Sequence, residues 1–366
     1  MTVVTSSDTL GFDFDYFDFS TVYDGVRFTR SSTLFRVDYD DGTRDEFRGT
    51  GFRYSSLGEP ISGVVTSYAA FDGSTRVASI EGGRLDVADI RAAALTSSTT
   101  DDFALIQDVL SRADRFIGGA KADSFQSFGG NDALNGFGGN DTLFGGDGAD
   151  LIYGDLGADS LSGDAGNDTL LGGAGGDRLI GGAGADTATY ASAKAAVLAS
   201  LGSARSNSGD ARGDVYSSIE NLIGSRFNDA LGGDGAANRL SGGAGNDRLN
   251  GGLGQDILEG GAGADTFSFK NAPSATNIDI ITDFRPLDDT IALSRAAFDR
   301  FAPLGDLAKA AFWTGARAHD ASDRIIYNED TGRLYFDSDG TGDDRAVLFA
   351  ILKKGLALTA ADFDVI

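Results

Sequence analysis

The feature that most limits how this chain can fold is a nine-residue period that stays in phase through two stretches. From Gly118 the sequence divides into GGAKADSFQ, SFGGNDALN, GFGGNDTLF, GGDGADLIY, GDLGADSLS, GDAGNDTLL, GGAGGDRLI and GGAGADTAT, ending at Thr189. From Gly224 it divides into GSRFNDALG, GDGAANRLS, GGAGNDRLN, GGLGQDILE and GGAGADTFS, ending at Ser268. Of these 13 blocks, 12 carry Asp at the sixth place and 12 carry Leu, Ile or Phe at the eighth; the exceptions are Asn238 and Ala188. A unit this short cannot bury an apolar face alone, so the blocks must stack. A period of nine with four prolines in the whole chain excludes a collagen helix, and a phased leucine excludes a flexible linker.

The spacing dictates the chemistry. Places one to six hold glycines and an aspartate, which suits a tight turn with carbonyls pointing inward. Places seven to nine suffice for a short strand whose middle residue alone faces the core. Two blocks then make a coil of about 18 residues, with a turn on each side and a three-residue strand on each face. Stacked coils bring Asp141 close to Asp159 and Asp150 close to Asp168, which is unfavourable without a counter-ion. Carboxylates with backbone carbonyls suit Ca²⁺. Zinc, copper and iron prefer nitrogen or sulfur, and the repeats contain no histidine or cysteine. Magnesium demands a stricter octahedron and keeps its waters. One leucine per block is a thin core, so the metal is expected to be obligatory for folding.

Composition agrees. The 55 acidic residues outnumber the 30 basic ones, for a formal charge of −25. Such a surface repels nucleic acid and anionic membranes and attracts cations. With no cysteine there are no disulfides, and no apolar run is long enough for a membrane span.

The blocks fit GGxGxDxUx, and by them the chain resembles the RTX (repeats-in-toxin, hemolysin-type) calcium-binding proteins of bacteria. The resemblance covers 118–189 and 224–268. It implies a right-handed parallel β-roll in which each calcium lies between the turn of one block and the aspartate two blocks later. The implied ligands are Asp123, Asp132, Asp141, Asp150, Asp159, Asp168, Asp177 and Asp186, then Asp229, Asn238, Asp247, Asp256 and Asp265. Pairs such as Asp132 with Asp150 and Asp168 with Asp186 would share ions. Departures gather at the array ends, at Lys121, Ser127-Phe128, Ser225-Arg226-Phe227 and Asn238, so the ends are expected to bind less.

The expected fold is therefore mainly all-β: a calcium-bound roll between a small N-terminal β-rich domain with a capping helix and a C-terminal β-rich secretion segment. Residues 1–100 form the N-terminal domain of unknown role, with hairpin signals around Asp41-Gly42 and an aromatic–acidic alternation in FDFDYFDFS. Asp13, Asp15 and Asp18 there are either a solvated strand face or a metal or sugar site. Residues 101–117 form a capping helix or linker, with Phe103, Ile106, Val109, Leu110 and Ala113 inward. Residues 190–223 are a β excursion between the arrays, and 269–366 hold strands at IDIITDF and DTIALS and a hairpin at RIIYNEDTGRLYFD. DSDGTGDD has Leu348 where an EF-hand loop needs its glutamate, so it reads as a polar turn. Arg212-Gly213-Asp214 reads as a chance tripeptide.

Neither HExxH nor GxSxG occurs, and His319 is the single histidine. The N-terminus lacks the pattern of a secretory signal peptide, and LTAADFDVI resembles the C-terminal signal of type I-secreted RTX proteins. The resemblance thus implies a secreted, extracellular protein of a Gram-negative bacterium, with the type I secretion apparatus as one partner and a cell-surface or extracellular polysaccharide or protein as another. A structural, adhesion or matrix role is expected. The alternative is a calcium-dependent extracellular carbohydrate-active enzyme acting through residues 1–100.

Overall fold

Places seven to nine of the repeats become short parallel strands, each burying its middle residue. The computed structural model describes residues 2–6, 22, 25–94, 99–286, 288–299, 301 and 304–366, and the chain divides into two units, Met1–Asp186 and Thr187–Ile366. In the first unit, Arg115–Ile117, Ala133–Asn135, Leu151–Leu156 and Thr169–Ala174 form one parallel sheet. Ser124–Gln126, Thr142–Asp147, Ser160–Ala165 and Arg178–Ala183 form the other. Partners lie 18 residues apart, as Leu143↔Leu161 and Ile152↔Leu170. Phe116, Leu134, Ile152 and Leu170 from one sheet and Phe125, Leu143, Leu161 and Leu179 from the other are each at most 1% exposed. The Phe116 and Phe125 rings stack at 4.4 Å.

The middle strands run for six residues rather than the expected three. Places one to three keep pairing, as Gly146↔Asp164 and Asp147↔Ala165, although place two turns through positive φ, +90 at Gly146 and +69 at Asp164. The roll also begins one block before Gly118. The helix expected over 101–117 is Thr99–Val109, and Arg115–Ile117 is already a rung. Ile106 and Leu110 are buried as expected, whereas Ala113, beyond the helix, is exposed. The side chain of Phe103 lies outside the described residues.

The N-terminal layer of this unit is an antiparallel meander: Arg27–Arg30, Leu34–Asp38, Thr43–Tyr54, Pro60–Asp72 and Thr75–Asp86. Gly42 turns the hairpin between Leu34–Asp38 and Thr43–Tyr54 at φ +91, a conformation glycine adopts without steric cost. Phe35, Val37, Phe47, Val65 and Ile80 fill its core together with Val87 and Ile90 of the helix Val87–Ala93. That helix starts at Asp86, whose Oδ1 accepts the Ala88 amide at 3.0 Å. Strand Val3–Ser6 joins the layer to the roll, pairing antiparallel with Thr75–Asp86 and parallel with Arg115–Ile117. Val4 thereby stands beside both Ile80 and Phe116, fully buried. FDFDYFDFS, with Asp13, Asp15 and Asp18, lies outside the described residues.

In the second unit the same two-sheet pattern returns. Thr187–Thr189, Asn221–Ile223, Arg239–Ala244, Ile257–Ala262 and Asp279–Ile281 run parallel on one side. Leu198–Ser200, Ala230–Gly232, Arg248–Asn250, Thr266–Phe269 and Thr290–Leu293 run parallel on the other. The stretch 190–223 thus contributes rungs as well as a looped excursion. Beyond it the rungs continue past Ser268. Val347–Ile351 pairs with Asp279–Ile281, and Phe363–Val365 pairs with Thr290–Leu293. Ile325–Asn328 and Arg333–Phe336 form the expected hairpin. Asp214 is fully buried and accepts the Tyr190 hydroxyl at 2.6 Å, so the Arg-Gly-Asp tripeptide is not presented to a partner.

Candidate metal centre

Glycine at places one and four lets the sixth-place carboxylate fold back against its own turn. A Cβ on Gly163 would lie 2.2 Å from Oδ2 of Asp168. One on Gly166, at φ +144, would lie 1.4 Å from the Gly148 carbonyl one coil away. A side chain at Gly163 or Gly166 would displace the turn.

The aspartates then form ladders. The amide of each donates to Oδ1 of the aspartate 18 residues on: Asp141 to Asp159 at 2.8 Å and Asp159 to Asp177 at 2.9 Å on one ladder. On the other, Asp132 donates to Asp150 at 2.8 Å, Asp150 to Asp168 at 2.8 Å and Asp168 to Asp186 at 2.9 Å. In the second unit Asp229 donates to Asp247, Asp247 to Asp265, and Asn238 to Asp256. All thirteen sixth-place residues are buried. The structure therefore brings every sequence-predicted ligand into a ladder.

The second carboxylate oxygens separate interior from end. Oδ2 of Asp132, Asp141, Asp150, Asp159, Asp168, Asp247, Asp256 and Asp265 is buried and has no hydrogen-bond partner. A buried anion without donors is costly. Burial, opposed by the amide bond and reinforced by neighbouring aspartates, pushes Asp141 and Asp150 up to about 7. Burial likewise lifts Asp132 and Asp247 to about 6. At the ends the protein supplies its own donors. Asp123 accepts the Gly119 amide at 2.9 Å and the Ser6 hydroxyl at 2.7 Å. Asp229 accepts the Val197 amide at 2.8 Å, the Ser225 amide, and the Ser225 hydroxyl at 3.0 Å. Asn238 accepts the Asp234 amide at 2.9 Å. The donor set of the interior rungs, carboxylate and carbonyl oxygen with neither nitrogen nor sulfur, fits a hard cation of calcium's kind.

Sequence reasoning missed three members of the ladders. Asp114 donates to Asp132 at 2.7 Å and accepts the Thr2 amide at 2.5 Å. Its block, VLSRADRFI, lacks glycine but keeps Asp114 and Phe116 in phase. Asp279 and Asp289 accept the amides of Asp256 and Asp265, after steps of 23 and 24 residues. Their signal was the Asp-x-Ile cadence of DII and DTI. A further ladder runs on the exposed side at place five: Oδ1 of Asn131, Asn140, Asn167 and Asn246 each accepts the amide 18 residues on, at 2.9–3.0 Å.

Elsewhere, His319, Asp320 and Asp323 offer ligand atoms within 4.8 Å of one another. Asp323 Oδ2 already accepts the amides of His319 and Asp320, and the exposed His319 ring stacks on Trp313 at 4.5 Å. In DSDGTGDD, Asp337 Oδ1 accepts the amides of Asp339 and Gly340, which makes a hydrogen-bonded turn.

The family model of the RTX calcium-binding nonapeptide repeat matches residues 110–136, 128–161, 135–170, 153–188 and 232–267. Its first match begins before Gly118 and takes in the Asp114 block. A comparison with curated proteins gives no significant match. No helix among the described residues is long and apolar enough to cross a membrane.

Proposed function

From a chain that carries RTX repeats, which bind Ca²⁺, we propose a secreted scaffold assembled by that ion, with an adhesion or matrix role. The ligands are the thirteen sixth-place residues. Asp132, Asp141, Asp150, Asp159, Asp168, Asp247 and Asp256 hold the strongest sites, while Asp123, Asp229 and Asn238 lean on hydrogen bonds instead. The observation that carries this reading is the row of eight buried carboxylate oxygens without donors. Bound calcium supplies the missing positive charge and ties the turn of one block to the aspartate two blocks later. Circular dichroism during a calcium titration tests it. β signal should rise cooperatively from a chelator baseline, and magnesium at equal concentration should do far less. An unchanged spectrum would refute it.

The adhesion role draws support from a cleft of about 610 Å³ in the first unit. Arg76, Phe137 and Leu156 are among its lining residues, and Phe137 and Leu156 are 47% and 64% exposed. An extracellular polysaccharide or protein is the expected occupant, and Phe137→Ala with Leu156→Ser should weaken retention on the producing organism's surface or matrix. Two cavities near the N-terminal layer, about 20 Å³ each, are lined mainly by apolar side chains such as Phe47 and Val65. The carbohydrate-active alternative draws no support from them. RTX proteins are typically secreted by the type I route, and export of this chain should stop when the last 60 or so residues are removed.

A further inference from the structure

The last turn of the second array is bridged differently from the turns before it. Arg285 reaches back over the block Gly260–Ser268, and its Nη2 donates to the carbonyls of Gly261 at 2.7 Å and Gly263 at 2.9 Å. The same nitrogen stands 4.0 Å from Oδ2 of Asp265, one of the buried oxygens without a hydrogen-bond partner. Nε stands 3.9 Å from Oδ2 of Asp289, which also accepts the Arg285 amide at 2.8 Å. Asp265 and Asp289 are successive members of one ladder. A single guanidinium thus contacts two turn carbonyls and faces the carboxylates of two stacked coils. That is the donor set which, in the interior rungs, calls for a divalent cation. Among the described residues, no other basic side chain donates to two turn carbonyls of the rolls.

We infer that Arg285 is the resident cation of this terminal position, so that the rung joining Ile257–Ala262 to its neighbours forms without calcium. The inference rests on the calcium reading of the other rungs and adds where that requirement ends. Guanidinium chemistry suits the task. It is always charged, and it holds several donors in a fixed fork that can serve carbonyls and carboxylates together. Asp283 completes the turn by accepting the amides of Gly260 at 3.0 Å and Gly261 at 2.7 Å, so the backbone is fixed from both sides. With one rung already built, the adjoining turn at Gly242–Gly245 meets a formed neighbour when calcium arrives. Ordering it then costs less chain entropy than starting from coil.

The test uses the full chain with Arg285→Gln, which keeps amide donors but no charge, and Arg285→Lys, which keeps the charge but not the fork. Hydrogen exchange in chelator and the number of calcium ions bound at saturation are measured for both. Glutamine should speed exchange of the 257–262 and 290–293 amides about tenfold in chelator and raise the calcium count by one. Lysine should leave the count unchanged and retain most of the protection. Equal protection and equal ion counts in the glutamine variant and the parent would overturn the inference, as would loss with lysine but not with glutamine. If the parent bound no calcium at all, the calcium reading would fall, and exchange in chelator would still decide the role of Arg285.

Discussion

The N-terminal layer and the roll of the first unit both bury carboxylates, and they settle the cost in opposite ways. In the layer the chain provides the partners. Asp45 accepts the hydroxyls of Tyr39 at 2.7 Å and Tyr68 at 2.8 Å. Glu46 lies between Arg44 at 3.5 Å and Arg48 at 2.8 Å, and Arg36 reaches Asp38 at 2.5 Å. In the roll the partners of Asp132, Asp141, Asp150 and Asp159 are other aspartates, and their outer oxygens have no donor. A region that carries its own cations and a core of Phe35, Phe47 and Ile80 is expected to keep its fold without an added ion. One that stacks anions around a single apolar residue per block is expected to need an ion from outside.

The largest break between the two should come from a chelator. Hydrogen exchange should show the amides of Leu143, Ile152, Leu161 and Leu170 losing protection while those of Phe47, Tyr68 and Ile80 keep theirs. Equal loss in both regions would mean that the layer borrows its stability from the roll.

Next in size is an alanine at Gly166, where a Cβ would lie 1.4 Å from the Gly148 oxygen. Calcium should fail to restore β signal across the surrounding coils, while exchange in the layer stays unchanged. Recovery of the parent's calcium midpoint would show that the turns are looser than the glycines imply.

Acid should imitate the ion in part. Asp141 and Asp150 titrate near 7 in the fold, and Asp132 and Asp247 near 6, against about 3.9 in an unfolded chain. The folded form therefore binds more protons between these values. The stability of the calcium-free roll is fully present below about pH 4 and is lost as pH rises through 6 to 7. In chelator, β signal should reappear on acidification, and the calcium concentration that half-folds the roll should fall as pH falls from 7.5 to 5. A midpoint independent of pH from 5 to 7.5 would argue against buried carboxylates as the ligands.

Single aspartates should give the finest contrast. Asp150→Ala should raise the calcium midpoint about tenfold, equivalent to about 1.4 kcal/mol. Asp123→Ala should raise it less, because Gly119 and Ser6 already serve that carboxylate. Asp45→Asn should leave the midpoint where it is and change only the melting of the layer, by about 1 kcal/mol. Calorimetry with and without calcium separates the three.

How much of this was legible in the sequence follows from range. The coil, its two faces, the inward leucines and the sixth-place aspartates are local consequences of a fixed period, and the structure puts the leucines in the core and the aspartates in the ladders. Asp114 was hidden because its turn lacks glycine. Asp279 and Asp289 were hidden because insertions break the count while the Asp-x-Ile cadence survives. The pairing of Val3–Ser6 with Arg115–Ile117 joins residues more than a hundred positions apart, and no periodicity announces it. Arg285 resembled any surface arginine until the fold set it over Gly261 and Gly263. The distinction between interior and end aspartates lay in their hydrogen-bond partners, Ser6, Ser225 and Val197, which sit outside the repeat pattern.

The 18-residue step between ladder partners gives the roll something like a reading frame. Excising 18 residues from mid-array returns every later aspartate to the ladder it left. Excising nine sends each to the opposite edge, and the chain beyond must cross over to rejoin its former neighbours. The second unit obeys the rule when it departs from the count, for the steps to Asp279 and Asp289 lengthen together, by five and six residues. Such a protein can change length by whole coils with little loss. A frameshift of half a coil separates the two ends from the middle they were built to meet.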